Sequence, residues 1–69
     1  MKRRYLAYLL ECGGDGEKWV GEFNKLSPAL GSAKIACHFY GEAKWDWVVE
    51  TYADGERLSV RSSVGGYER

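Results

Sequence analysis

The dipeptide Asp54-Gly55 constrains the fold of this chain more than any other feature, because it stands between two runs of alternating residues. Asp-Gly in that position is the strongest short-range signal for a two-residue β-hairpin loop. The predicted cross-strand pairs run outward from this loop: Ala53 with Glu56, Tyr52 with Arg57, Val49 with Val60 and Trp47 with Ser62. One face of the hairpin is then the predicted core face, with Trp45, Trp47, Val49, Thr51, Leu58 and Val60.

A second hairpin is predicted in the N-terminal part of the chain. Residues 5–12 form a strand that is apolar on both faces, a glycine-rich turn follows at 13–16, and residues 17–25 return as the partner strand. The pairing expected from this turn is Cys12 with Glu17, Leu10 with Trp19, Tyr8 with Gly21 and Leu6 with Phe23.

The segment between the hairpins predicts one helix. Ser27 is a suitable N-cap, Pro28 suits the first helical position, and Gly41 is a natural stop. One helix face collects small and apolar residues at helical spacing: Ala29, Leu30, Ala33, Ala36, Cys37 and Tyr40. Ile35 and Phe39 point away from that face.

The predicted fold is therefore α+β, a two-layer β-β-α-β-β arrangement with one helix on one face of a four-stranded, mainly antiparallel sheet. Residues 1–64 form the expected single domain, and residues 65–69 are the expected flexible C-terminal tail. With 69 residues, the chain has room for only a small core.

The net charge, the cysteine content and the short N-terminal apolar run each argue against one class of protein. The net charge of +0 argues against a general binder of polyanions. Cys12 and Cys37 lack paired spacing, which indicates reduced thiols in a cytoplasmic protein. The apolar run at 5–10 is too short for a signal peptide or a membrane span.

No residue pattern predicts catalysis, a metal or a cofactor. His38 follows Cys37 directly, and neighbours on a helix diverge by roughly 100°, so they do not form a nucleophile–base pair. His38 could meet Cys12 across the fold, but no third residue is evident to orient the histidine. The same three residues lack the spacing of zinc ligands. A non-enzyme is expected.

A lone helix leaves one face of the sheet open, and this face is the functional hypothesis. The face expected beneath the helix holds Leu6, Tyr8, Leu10, Trp19, Phe23, Trp47, Val49, Leu58 and Val60. The opposite face is expected to collect Tyr5, Ala7, Leu9, Val20, Val48 and Tyr52, rimmed by Lys18, Glu22, Asp46, Glu50, Arg57 and Arg61. An apolar centre with a charged rim is typical of protein-binding surfaces. The predicted protein-binding residues are Tyr5, Leu9, Lys18, Val20, Val48, Glu50, Tyr52, Arg57 and Arg61.

Other interpretations of this face remain open. Antiparallel sheets commonly leave one face in water, and a homodimer through the face would stabilise so small a core. Tyr5 and Tyr52 could form a stacking platform for nucleic acid, with phosphate contacts from Lys18, Arg57, Arg61 and the N-terminal Lys2-Arg3-Arg4, although acidic residues lie among them. Nucleic-acid binding would weaken steeply with salt, whereas an apolar protein interface would not.

The layout, and the helix segment Leu30-Gly31-Ser32-Ala33-Lys34-Ile35-Ala36 before a Trp-rich hairpin, resemble the small anti-CRISPR proteins of phages and mobile elements. Some type I inhibitors show a similar Leu-x-x-Ala-Lys helix leading to a Val-rich hairpin. The resemblance implies a non-enzymatic inhibitor in the host bacterial cytoplasm. Such an inhibitor docks on a CRISPR effector complex and blocks DNA recognition or nuclease recruitment. That group shares no common motif, so the resemblance assigns no functional residue.

Overall fold

A computed structural model of the chain describes residues 2–63 and 67–68. The elements are β1 (Arg3–Glu11), β2 (Glu17–Phe23), α1 (Leu26–Tyr40), β3 (Trp45–Ala53), β4 (Glu56–Ser62) and β5 (Tyr67–Glu68). All neighbouring strands pair antiparallel, in the order β2-β1-β3-β4-β5. The predicted α+β fold, with four main antiparallel strands in one open sheet and a single helix in the described part, is confirmed.

The short strand β5 falls within the predicted tail of residues 65–69. It pairs with β4 through Ser59 and Val60. The other residues of the predicted tail lie outside the described part of the chain.

The Asp54-Gly55 turn forms as predicted. Asp54 has φ 53° and Gly55 has φ 80°, which is the double positive φ of a type I′ turn. The first two predicted pairs are confirmed: Ala53 with Glu56 and Tyr52 with Arg57.

A β-bulge at Leu58 then shifts the register of this hairpin. Thr51 pairs with Ser59 and Val49 with Arg61, so the predicted Val49–Val60 pair is wrong. The Trp47–Ser62 pair is also wrong, because Ser62 lies opposite Val48. An extra residue on one strand exchanges the faces of all residues beyond it, so Val60 and Arg61 lie on the faces opposite to those expected.

The register of the first hairpin also differs from the prediction. The turn is shifted by one residue toward the N-terminus, because Glu11 and not Cys12 closes it: the Glu11 N–H donates to the Gly16 carbonyl at 2.8 Å and the Glu11 carboxylate accepts from the Gly16 N–H at 3.2 Å. Leu10 consequently lies opposite Glu17, not Trp19. The remaining pairs are Tyr8 with Trp19, Ala7 with Gly21 and Tyr5 with Phe23, with a β-bulge at Val20.

The helix α1 begins two residues earlier than predicted, at Leu26 and not at Pro28, and ends where predicted. Lys25, not Ser27, is the N-cap, and it makes no side-chain capping hydrogen bond. At the other end Gly41 has φ 113°, and its N–H donates to the Cys37 carbonyl at 2.9 Å. The glycine accommodates a positive φ that would strain other residues.

The helix packs over β1, β2 and β3 and, within the described residues, does not contact β4 or β5. One core cluster joins Tyr5, Ala7, Ala29, Ala33 and Val49, and a second joins Leu9, Cys37 and Trp45. The predicted helix face is thus the buried one, except for Tyr40, which is 50% exposed. Its alanines lie above Ala7, so that the helix backbone can approach the sheet closely.

The predicted orientation of β1 is wrong. Tyr5, Ala7 and Leu9 lie under the helix, whereas the residues expected there were Leu6, Tyr8 and Leu10. The pairing between β1 and β3 explains the difference. Ala7 lies directly opposite Val49, and direct partners on neighbouring strands point to the same side of the sheet. Since β3 presents Val49 to the core, as predicted, the odd-numbered residues of β1 share its face.

Candidate protein-binding surface

The sheet face opposite α1, called the open face below, holds four rows of cross-strand neighbours. Starting from the Asp54-Gly55 end, the rows are Arg4–Tyr52–Arg57, Glu22–Leu6–Glu50–Val60, Trp19–Tyr8–Val48–Ser62 and Glu17–Leu10–Asp46. These rows mix apolar, aromatic and charged side chains. The order of the strands places all of them on one surface.

The apolar part of the open face is concentrated on β1 and β2. Trp19 is 63% exposed and Leu10 is 41% exposed. Tyr8 lies directly across from Trp19 and two residues before Leu10, and Leu6 continues the line along β1. We call these four residues, Leu6, Tyr8, Leu10 and Trp19, the apolar patch. Its largest exposed side chain is an indole, which combines a wide apolar surface with one hydrogen-bond donor.

Glu50 lies at the centre of the open face and accepts hydrogen bonds from two tyrosines. The hydroxyl of Tyr8 donates to one oxygen of its carboxylate, and the hydroxyl of Tyr52 donates to the other at 2.7 Å. Burial, followed by the hydrogen bond to Glu50, raises the pKa of the Tyr8 hydroxyl. Two tyrosine rings are therefore held in place before any partner arrives, which reduces the entropy lost on binding.

The hydrogen bond between Tyr8 and Glu50 predicts that the protein loses stability at alkaline pH. The raised pKa keeps Tyr8 protonated in the folded chain, while the unfolded chain ionises near its ordinary value of 10.0. The free energy of unfolding is therefore expected to fall as the pH rises above about 10. Tyr8→Phe should show a smaller fall, measured by urea denaturation between about pH 9 and pH 11. An identical pH dependence in both proteins would contradict the contact.

The charges of the open face are unequal. The four rows contain four carboxylates (Glu17, Glu22, Asp46, Glu50) and two guanidinium groups (Arg4, Arg57), an excess of two negative charges.

Arg4 and Glu22 form a two-bond ion pair, with distances of 2.8 Å from Nε to Oε2 and 2.7 Å from Nη2 to Oε1. This pairing raises the pKa of Arg4 and lowers the pKa of Glu22. At the other end of the face, Asp46 accepts from Ser63 Oγ at 2.9 Å and from Cys12 Sγ at 3.2 Å. Even with these contacts, the face keeps its acidic excess.

Four of the nine predicted protein-binding residues lie on the open face: Val48, Glu50, Tyr52 and Arg57. Val48 is only 4% exposed, so it underlies the surface and adds little contact area. A binding role for these residues stays a prediction.

The other five predicted binding residues lie on the helix side: Tyr5, Leu9, Lys18, Val20 and Arg61. Tyr5 and Leu9 are buried there by the orientation of β1, and Val20 packs on the same core because of the bulge in β2.

The two cations of that group also belong to the helix side. Lys18 Nζ lies 4.7 Å from the ring centroid of Tyr40 and 5.2 Å from that of Trp45, so the ammonium covers an edge of the core. Arg61 lies opposite Val49 because of the bulge in β4.

The residues of the apolar patch were expected beneath the helix and not on the open face. One signal favoured the observed arrangement. A helix face rich in alanine lies close to the sheet, which favours a small residue beneath it, and Ala7 is the only alanine in β1. Placing Ala7 under the helix puts Leu6, Tyr8 and Leu10 on the opposite face.

The thiols and the histidine have separate partners. The buried Cys37 Sγ donates to the Trp45 carbonyl at 3.0 Å, and burial raises the pKa of this thiol. The hydrogen bond to Asp46 raises the pKa of Cys12. His38 Nδ1 lies 2.9 Å from Glu42 on the helix surface. Raised pKa values disfavour the reactive thiolate form of both cysteines.

Among the residues that the structure describes, no three or more His, Cys, Asp or Glu side chains are grouped as ligands of a metal ion. No helix in residues 2–63 is long and apolar enough to cross a membrane.

Comparison of the chain with protein-family models, with curated proteins and with solved structures found no match. A functional conclusion therefore depends on the residues of this chain and on the surface they form.

Proposed function

We propose that this chain is a non-enzymatic binding protein that docks on a partner protein through the open face. The observation that carries the proposal is the apolar patch, in which Trp19 is 63% exposed on the sheet face that the helix does not cover. Exposed tryptophan and tyrosine side chains that are already fixed in place dominate the energy of many protein interfaces.

The charges beside the patch favour a protein partner over nucleic acid. The open face carries two more carboxylates than guanidinium groups, and carboxylates repel phosphate. A partner with basic side chains around an apolar depression would be complementary to this face.

The resemblance to type I anti-CRISPR proteins supplies a candidate partner, a CRISPR effector complex in the bacterial cytoplasm. Effector complexes hold nucleic acid in positively charged channels. An acidic face with an apolar patch is complementary in charge to such a channel, so the proposed inhibitor blocks DNA recognition by occupying it. Blocking of nuclease recruitment is the other outcome that the resemblance implies.

The experiment measures binding of the full chain to a purified type I effector complex, and the effect of the chain on target-DNA binding by that complex. Trp19→Ala is expected to weaken binding at least about tenfold and to relieve inhibition, because it removes the most exposed part of the patch. Phe39→Ala is the matched control, since Phe39 is an aromatic residue of comparable exposure on the outer face of α1. Both variants should keep the wild-type melting temperature.

Three results would contradict parts of this proposal. Equal affinity of Trp19→Ala and wild type would exclude the patch as the docking surface. Inhibition of cleavage without loss of DNA binding would favour nuclease recruitment as the blocked step. Absence of binding would exclude the effector complex tested as the partner.

One observation favours a second candidate function, nucleic-acid binding. Lys2, Arg3, Arg4 and Asn24 line a depression of about 460 Å³ at the end of β1. Binding at this depression would weaken steeply as salt is raised, whereas docking through the apolar patch would not.

A further inference from the structure

The outer face of α1 carries apolar side chains that the fold does not use. Ile35 is 72% exposed and Phe39 is 79% exposed. The Phe39 ring meets Tyr40 edge-on, with centroids 5.1 Å apart, so it has a defined position on the helix surface. Together with Gly31 these residues form a line at intervals of four, here called the helix stripe.

Gly31 has no role inside the chain that requires a glycine. A Cβ built on it would have no atom within 4 Å beyond its own helix backbone and chain neighbours, among the described residues. Its backbone is not in the left-handed region. Glycine is nevertheless less favourable than alanine in a helix interior. What Gly31 does provide is a notch on the outer surface of the helix, two turns before Phe39.

We infer that the helix stripe is a homodimer interface, in which α1 packs antiparallel against α1 of a second copy. A two-fold axis at Ile35 makes the stripe self-complementary, because Gly31 and Phe39 lie four residues on either side. Phe39 of each copy then seats in the notch at the partner's Gly31, and Ile35 meets the partner's Ile35 on the axis. Glycine at a helix contact allows the two backbones to approach closely.

The charges at the helix ends favour this antiparallel arrangement. Lys25 caps the N-terminal end of α1, and no acidic residue lies in its first turn. Glu42 follows the C-terminal end. Antiparallel packing places the positive end of each helix dipole, with Lys25, beside the negative end of the partner's helix, where Glu42 lies 2.9 Å from His38 of its own chain. Parallel packing would place ends of like charge together.

This dimer does not depend on the proposed function, because the helix stripe and the open face are on opposite sides of the molecule. Both open faces would point outward in the dimer. Each copy in the dimer keeps its own docking surface, and the affinity of a single open face for its partner does not depend on dimerisation.

The test is sedimentation equilibrium of the full chain alone, from micromolar to millimolar concentration. The wild type is expected to show a concentration-dependent monomer–dimer equilibrium. Phe39→Ala and Gly31→Ala should each weaken dimerisation about tenfold or more, the first by removing the ring and the second by filling the notch. Trp19→Ala should dimerise like the wild type.

Gly31→Ala separates this interface from a general effect on folding. At a concentration where the chain is monomeric, this variant should melt a few degrees higher than the wild type, because alanine stabilises a helix interior. A monomeric wild type at all concentrations would overturn the inference. So would a dimer that both helix variants leave intact, or one that only Trp19→Ala disrupts.

Discussion

Leu9→Ala is expected to lower the free energy of unfolding by about 2–5 kcal/mol. Leu9 is fully buried and, with Val49, is one of the two largest fully buried side chains among the residues whose burial the structure describes. It packs with Cys37 and Trp45 in the second core cluster, so truncation removes its own burial and leaves a cavity beneath the helix. A chain of 69 residues has a total stability of roughly 3–10 kcal/mol. The substitution should therefore remove a large part of the total stability of the fold.

Leu10→Ala is the matched control, because the same chemical change is made one position along the same strand. Leu10 is 41% exposed on the open face, so the expected cost is below about 1 kcal/mol. Urea denaturation, followed by tryptophan fluorescence, measures both variants. A larger effect at Leu10 than at Leu9 would contradict the orientation of β1 and would support the orientation predicted from the sequence.

Ala33→Leu is expected to lower the free energy of unfolding by about 1–3 kcal/mol, for the opposite reason. Ala33 is fully buried on the face of α1 that lies over Tyr5, Ala7 and Val49. A larger side chain has no space there, so the helix must move away from the sheet and lose contacts along its length. Each kcal/mol should lower the melting temperature by roughly 4–8 °C in a domain of this size.

Two further variants test the cause of that loss. Ala36→Leu makes the same change at a half-buried position near the edge of the second cluster, where a smaller effect is expected. In the double variant Ala33→Leu/Val49→Ala, the smaller residue below provides space for the leucine. Its destabilisation should be less than the sum of the two single effects. Strict additivity, or an equal effect at Ala36, would contradict close packing at Ala33.

Local sequence signals predicted several features that depend on neighbouring residues, although the N-cap fell at Lys25 and not at Ser27. Asp54 and Gly55 adopt the positive φ values of their turn, and Gly41 ends α1 as predicted. The alanine face of α1 was recognised from its spacing, as was the outward direction of Ile35 and Phe39. Each of these features depends on backbone preference or helical period within a short segment, and such preferences can be read from a single sequence.

Pairing between distant segments of the chain decided which side of each strand the helix covers. Residues 5–10 are apolar on both faces of the strand, so the sequence pattern does not indicate which face lies under the helix. The side was set when β1 paired with β3 and Ala7 came to lie opposite Val49. The bulges at Val20 and Leu58 had the same kind of effect. Each inserts one extra residue into its strand, so the residues beyond it lie on the opposite side of the sheet from the side expected.

The sequence alone thus determined the elements, the turn and the buried face of the helix, whereas the tertiary structure decided which residues form the open face. The physical reason is that side chains alternate along a strand with a period of two. A shift of one residue in the pairing therefore moves every side chain of the strand to the other face of the sheet, and only contacts across the sheet determine the register.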